Sequence, residues 1–332
     1  MKKTLLITFG CSWVYGVGVN YEEGMSREDY QLNAWNPELC DEYSFRGLIK
    51  KNLNIDTKNF SLGGSSNQMQ FREAKQYFFS QQFIDHKDSY DNIIVLWGIT
   101  STARNEFYSV EDKTFLNVLY NTFFDKFDPL AKSITKKNYD LIKRPNWPSW
   151  EDYNNLNLDN IDLETLKQIV ISEKLHLRDM QKSTTFRHLL EHILGKFSWD
   201  VDAAIYELSL EIKLFNSFFE SSNIKFLWYD LFNHHDYKKS FKKFVDPRAE
   251  WFELKNFLQY DNKSRDILSL ILKNNNSFVK DIAYHLSEWK DDNKKINMGV
   301  KKKLLNPISF HPTKLGHVEI AKVLQPEIER FV

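Results

Sequence analysis

Along the first hundred positions, apolar residues gather in short runs that end at glycines, separated by stretches with helical spacing. Thr4–Phe9 is such a run and stops at Gly10. Asn92–Trp97 is another and stops at Gly98. Runs of this length, bounded by turn residues, predict strands buried on both faces. Between them, Tyr43–Leu53 spaces Phe45, Leu48, Ile49 and Leu53 as one face of a helix, and Asn67–Phe83 reads as a second helix. Ile55–Ser61 is a weaker strand candidate that leads into Gly63-Gly64. The resulting β-α-β-α-β order predicts a parallel sheet with helices on both faces.

The regularity then stops. Residues 105–219 are rich in Asn, Asp, Lys and aromatics, and Arg144-Pro145-Asn146-Trp147-Pro148 breaks them in the middle. Helical patterns flank the break at Leu163–Leu177, Phe186–Leu194 and Val201–Phe219. Ile224–Leu231 reads as one more buried strand, residues 236–304 as helical and polar, and Thr313–Phe331 as a closing amphipathic helix. That helix has Leu315, Val318, Ile320, Ala321, Leu324 and Ile328 as its apolar stripe. The expectation is one α/β domain with a core of 1–104, 220–235 and 305–332, interrupted by helical insertions at 105–219 and 236–304.

Composition narrows the function. In 332 residues, 42% are hydrophobic and 26 are Phe, which supplies a core and argues against disorder. Lys+Arg and Asp+Glu are 45 each. The dense basic runs Lys301–Lys303 and Lys238–Lys243 read as solvated surface, so no nucleic-acid partner is expected. Cys11 and Cys40 cannot build a disulfide framework, and no Cys/His cluster has zinc spacing. The first residues imitate a signal peptide, but the apolar run stops at Gly10 and reads better as a strand. No run of about 18 apolar residues occurs. A cytoplasmic protein without a membrane partner is expected. Gly16-Val17-Gly18 follows a strand, but the chain has neither GxxxxGK[ST] nor GxGxxG, so no nucleotide or other cofactor is expected.

In open parallel sheets, sites form outside the carboxyl ends of the strands. Here three such ends carry Ser12, Gly63-Gly64 and Gly98-Ile99-Thr100. Ser12 is a candidate nucleophile and needs a base. His311, in Phe310-His311-Pro312-Thr313 just before the closing helix, is the candidate for that base.

In this order, the residues resemble the SGNH (GDSL-type) hydrolase family over about 150 of the 332 residues. Block one reads Phe9-Gly10-Cys11-Ser12-Trp13-Val14-Tyr15-Gly16, and block two Asn59-Phe60-Ser61-Leu62-Gly63-Gly64-Ser65-Ser66-Asn67. Block three reads Trp97-Gly98-Ile99-Thr100-Ser101, with Arg104 beyond it. The last block reads Ile308-Ser309-Phe310-His311-Pro312-Thr313, leading to Gly316-His317. The resemblance implies a three-layer α/β/α sandwich with a flavodoxin-like parallel sheet. It implies Ser12 as nucleophile, His311 as general base, and an oxyanion hole from the Ser12 and Gly64 N–H groups with Thr100. It also implies an ester substrate, with a carbohydrate O-acyl (O-acetyl) ester favoured. Three positions depart from the family, and the least consequential is Cys11, which stands where block one has a mainly structural Asp. Thr100 stands where block three has Asn, and Ile308 stands where the last block has the Asp that orients the histidine. Ser309 is the next nearest position, so no local acid completes a triad, and Asp230 is the acid to inspect. The alternatives are a catalytically impaired protein that binds a glycan or protein partner, and an acyltransferase.

Other candidates have competing readings. Cys11 is either a buried, inert thiol or a second nucleophile. His234-His235-Asp236 suggests a metal, but neighbouring residues on an extended segment face opposite ways, so no metal site is expected. His317 either packs or caps its loop, or contacts substrate. Arg104 and Glu106 form either a surface ion pair or the rim of the site. Asn67 is a supporting candidate at the end of block two. Trp147, Trp150, Trp199 and Trp251 are insertion core or sugar-stacking surfaces.

Overall fold

The computed structural model describes residues 3–102, 104–109, 114–119, 200–231, 237–244, 254–258, 266–274 and 298–332. In chain order the elements are β1 (Thr4–Phe9), α1 (Ser12–Tyr15), α2 (Arg27–Asn33), α3 (Pro37–Tyr43), α4 (Phe45–Leu53), β2 (Asp56–Asn59), α5 (Asn67–Phe78), α6 (Gln81–Ser89), β3 (Asn92–Ile99), β4 (Arg104–Ser109) and β5 (Thr114–Leu119). They continue with α7 (Val201–Ser221), β6 (Lys225–Asp230), α8 (Tyr237–Phe244), α9 (Ile267–Asn274) and α10 (Lys314–Glu329). The chain divides into two units, Met1–Arg104 with Val201–Val332, and Asn105–Asp200.

The first unit is an α/β unit built on a four-stranded sheet of order β2-β1-β3-β6, and every neighbouring pair is parallel. Strand side chains alternate between faces, and both faces here are apolar. Leu6, Ile94, Leu96, Leu227 and Tyr229 point to one side, where they meet Phe45 and Ile49 of α4, Ile267 and Ile271 of α9, and Ile320, Leu324 and Ile328 of α10. Leu5, Ile7, Phe9, Val95, Trp97, Phe226 and Trp228 point to the other. They meet Phe71, Ala74 and Phe78 of α5, Phe83 of α6 and Ile212, Phe215 and Phe219 of α7. A sheet buried on both faces is why its strands read as unbroken apolar runs rather than alternating ones.

The strand register puts Phe9 opposite Trp97 and Trp97 opposite Trp228. Their rings stack at centroid distances of 4.4 Å and 4.8 Å. This aromatic row lies at the carboxyl end of the sheet, immediately before Gly10 on β1 and beside Gly98 on β3. The chain leaves β1 for β2 on one side and then crosses to β3 on the other. The carboxyl ends of β1 and β3 therefore flank a switch point, where connections diverge and leave a crevice.

The structure differs from the sequence expectation in four places. The single helix expected over Asn67–Phe83 is two, because Ser80 caps α6 by accepting from Phe83 N–H and so restarts the chain. Val201–Phe219, expected inside the first insertion, belongs to α7 and packs directly on the sheet, so the second unit ends at Asp200. In the expected second insertion, α9 is apolar and buried, with Ile267 and Ile271 fully enclosed. At the start of the first insertion, expected to be helical, β4 and β5 instead pair as a two-stranded sheet. The helices expected at Leu163–Leu177 and Phe186–Leu194, the four insertion tryptophans and His234-His235-Asp236 lie outside the described residues. Among the described residues, no helix is long and apolar enough to cross a membrane.

Candidate active site

Ser12 is the first residue of α1, two residues after the glycine that ends β1. Gly10 has φ +148°, and a β-carbon there would lie 2.4 Å from Val14 Cγ2, so the chain can turn this sharply only with glycine. The turn is tied to the neighbouring loop. Gly10 N–H donates to Gln70 Oε1 at 2.8 Å, and Ser65 Oγ donates to the Gly10 carbonyl at 3.0 Å. Cys11 is fully buried, which favours the inert reading of its thiol. The one-turn helix closes at Gly16, which is left-handed with φ +105°.

The opposite wall of the site is the loop between Leu305 and Pro312, which bridge each other in antiparallel fashion. Asn306 organises it and is fully buried. Its Oδ1 accepts from the N–H groups of Ile308 (3.1 Å) and Ser309 (2.8 Å), and its Nδ2 donates to the His311 carbonyl at 2.9 Å. Phe310 takes a left-handed conformation, φ +58°, just before His311. Thr313 then caps α10 by accepting from Gly316 N–H. Ile308, three residues before His311, packs beside Tyr30 and Val17 in a small apolar cluster. The side chain there anchors the loop and leaves the imidazole alone.

These two walls meet at one hydrogen bond. His311 Nε2 lies 2.7 Å from Ser12 Oγ, across 299 residues of sequence. His311 Nδ1 lies 2.8 Å from Ser309 Oγ, which is also 2.7 Å from Tyr30 Oη and 3.1 Å from Asn306 Oδ1. Burial and the nearby Arg104 guanidinium push His311 down from its ordinary range to about 4. Its imidazole is therefore neutral at physiological pH, with a free lone pair but weakened basicity.

Asp230, expected as the acid behind His311, serves a different network. It sits at the end of β6, two strands from β1, and accepts from Tyr237 Oη at 2.8 Å. Strands lie about 4.8 Å apart, so that separation takes its carboxylate out of reach of an imidazole placed over β1. The surroundings of His317 favour its packing reading. It is fully buried and stacked on Phe45, and its Nδ1 accepts from Phe45 N–H at 3.3 Å. Burial first, and then Arg46 and His311, push it down to about 3.

The remaining candidates follow β2 and β3 in the chain. Gly64 is exposed with φ +72°, and a β-carbon there would meet nothing within 4 Å. Asn67 clamps the backbone of Thr100, accepting from its N–H and donating to its carbonyl, both at 3.0 Å. Thr100 Oγ1 is buried and has no hydrogen-bond partner among the described residues. Arg104 lines a cavity of about 370 Å³ between α5 and α7, together with Asn67, Phe71, Thr102, Glu207 and Leu214. Among the described residues, no group of three His, Cys, Asp or Glu side chains could hold a metal ion.

Sequence reasoning missed Tyr30 and Asn306 and passed over Ser309. An Asn three residues before a Ser is a local turn signal, since the amide oxygen can collect the following N–H groups. Nothing in the sequence tied Tyr30, 279 residues away from Ser309, to the same place.

No protein-family model matches the chain, and no curated protein is significantly similar to it.

Proposed function

We propose that the chain is a serine ester hydrolase of SGNH type, with the three-layer α/β/α fold that the resemblance implies. The observation that carries this reading is the 2.7 Å contact between His311 Nε2 and Ser12 Oγ at the carboxyl end of β1. Ser12 Oγ attacks an acyl carbonyl carbon while its proton passes to Nε2. The C–O bond of the ester then breaks, and that proton leaves with the alcohol. Water repeats the sequence to release the acid. The Ser12 and Gly64 N–H groups, with Thr100, take the oxyanion. An O-acyl ester of a carbohydrate is the favoured substrate class, by family analogy.

A second reading, a protein that binds a glycan or protein partner without turnover, is favoured by one observation: Ser12 is only 2% exposed. An acyltransferase would share the acyl-enzyme and differ in its acceptor. The test is labelling by a small serine-directed fluorophosphonate, with hydrolysis of p-nitrophenyl acetate alongside, for wild type, Ser12→Ala and His311→Ala. Activity in wild type that both substitutions abolish, with their thermal unfolding unchanged, supports the hydrolase. A folded wild type that neither labels nor turns over sinks it in favour of the binder. Added alcohol acceptors that divert the product identify the transferase.

A further inference from the structure

We propose that Ser309, held between Tyr30 and Asn306, positions His311 in the reactive tautomer, with a hydroxyl at Nδ1 in the place of a carboxylate. As a statement about catalysis, this rests on the hydrolase reading above. As a statement about the imidazole, it stands on hydrogen-bond accounting alone.

The accounting starts at Asn306. One end of its amide lies 2.9 Å from the His311 carbonyl. A carbonyl can only accept, so that end is the NH₂ group and the other is Oδ1. Oδ1 in turn can only accept, and it lies 3.1 Å from Ser309 Oγ. Ser309 has a single hydroxyl proton, which is therefore directed to Asn306. Its lone pairs must then serve its two other neighbours, so Tyr30 Oη at 2.7 Å and His311 Nδ1 at 2.8 Å both donate. The reverse arrangement would set the lone pairs of Ser309 and Asn306 against each other at 3.1 Å. With the proton on Nδ1, Nε2 keeps its lone pair for the Ser12 hydroxyl at 2.7 Å. His317 supplies the internal contrast: its Nδ1 accepts from Phe45 N–H, so it carries its proton on Nε2.

In the reaction, the Nδ1 proton stays in place, bonded to Ser309 Oγ, while Nε2 takes and returns the Ser12 proton. Ser309 offers a dipole where a carboxylate would offer a charge. The groups acting on the imidazole are Arg104, which is cationic, the Ser309 backbone, whose hydrogen bond favours the charged form, His317, which is neutral above about pH 3, and, through Ser309, the Tyr30 phenol, which burial pushes up and so keeps neutral. No anion among these supports the imidazolium. Orientation is therefore the contribution of the network, and His311 remains a weak base.

Two measurements on the full chain test this. The first is the ¹⁵N spectrum of histidine-labelled protein near pH 7, assigned with His311→Asn and His317→Asn. His311 is expected to carry its proton on Nδ1 and His317 on Nε2, and in Ser309→Ala the His311 nitrogens should shift towards a mixture of tautomers. A His311 protonated on Nε2, or a His311 signal unchanged in Ser309→Ala, overturns the proposal. The second is the rate of fluorophosphonate labelling. General-base catalysis contributes about 10²–10⁴-fold, so Ser309→Ala should lose about 10–100-fold. Ser309→Thr, which restores a hydroxyl, should return close to wild type. Ser309→Asp should move the acid limb of the rate profile to higher pH, because an anion beside Nδ1 favours the imidazolium. Labelling of Ser309→Ala at the wild-type rate overturns the positioning role and leaves the hydrolase reading standing. A wild type that never labels defeats the hydrolase reading, while the spectrum still decides the tautomer.

Discussion

Gly18 lies directly against Pro312: a β-carbon on it would come 2.4 Å from the Pro312 carbonyl oxygen and 2.9 Å from His311 Cβ. The loop that follows Ser12 and the loop that carries His311 are thus packed backbone to backbone. In Gly16-Val17-Gly18, which from sequence has the look of a phosphate loop, Gly18 is required by this approach, and Gly16 by the left-handed cap of α1 and its packing on Cys40 and Ser44. Gly18 also has φ +108°, where an L side chain is strained whatever the space.

Gly18→Ala should therefore push the His311 loop away from Ser12. The backbone strain costs about 1–3 kcal/mol. A misplacement near 1 Å can cost about 10²-fold in rate. The expected outcome is a lower midpoint in urea unfolding together with fluorophosphonate labelling at least about tenfold slower. Labelling at the wild-type rate would mean that the two loops are not mechanically coupled.

The pH dependence follows from the depressed His311. The base is active when neutral, so the labelling rate should be flat above neutrality and fall through half-maximum near pH 4, where an unperturbed histidine would give about 6.5. Arg104 contributes to that depression, and its charge disfavours the imidazolium. Arg104→Gln should shift the acid limb to higher pH. A limb that stays put, or moves down, would show that Arg104 does not act on His311.

How much of this was legible beforehand depended on whether the signal was local. β1 and β3 were plain because a strand buried on both faces leaves an unbroken apolar run. Ser12 and His311 were plain because each follows its own turn, Ser12 opening a helix and His311 preceding one. The orienting network was hidden because its parts are polar, common residues brought together by packing. Tyr30 comes from a helix with no marked pattern, and Ser309 was discounted because it is not an acid. Asp230 looked eligible for the opposite reason: its charge and strand-end position were visible, whereas its place two strands from Ser12 depends on sheet order. The break between α5 and α6 was lost because a run such as Phe78-Phe79 continues the apolar helix pattern, while one capping serine, Ser80, ends it.

His317 gives a stability prediction with a definite sign. Folding holds it down to about 3, whereas in the unfolded chain it titrates near 6.5. Between those values the unfolded state binds the extra proton, so stability is full above about pH 6.5 and is lost as pH falls towards 3. One such group contributes a slope of about 1.4 kcal/mol per pH unit. His317→Asn, which can still accept from Phe45 N–H, should be less stable at pH 8 because the ring packing is lost, but should show a shallower decline in acid. Urea unfolding at several pH values reads both. Equal slopes in the two proteins would rule out His317 as the source.

Thr100 separates a structural from a chemical role at the position where block three carries Thr. Its hydroxyl is buried and has no partner among the described residues, whereas its backbone is fully engaged by Asn67. An idle buried hydroxyl costs stability, so replacing it with the isosteric Val should be neutral or stabilising in the free protein. If the same hydroxyl is reserved for an oxyanion, its cost is recovered only in the transition state, and Thr100→Val should slow turnover. Losing one such donor typically costs about 10²–10³-fold in rate. The combination expected for Thr100→Val is an unchanged or raised unfolding midpoint with ester hydrolysis slower by about that factor. A raised midpoint with unchanged turnover would remove Thr100 from the oxyanion hole and leave the Ser12 and Gly64 N–H groups to serve it. A lowered midpoint would mean that the hydroxyl is already engaged in the folded protein.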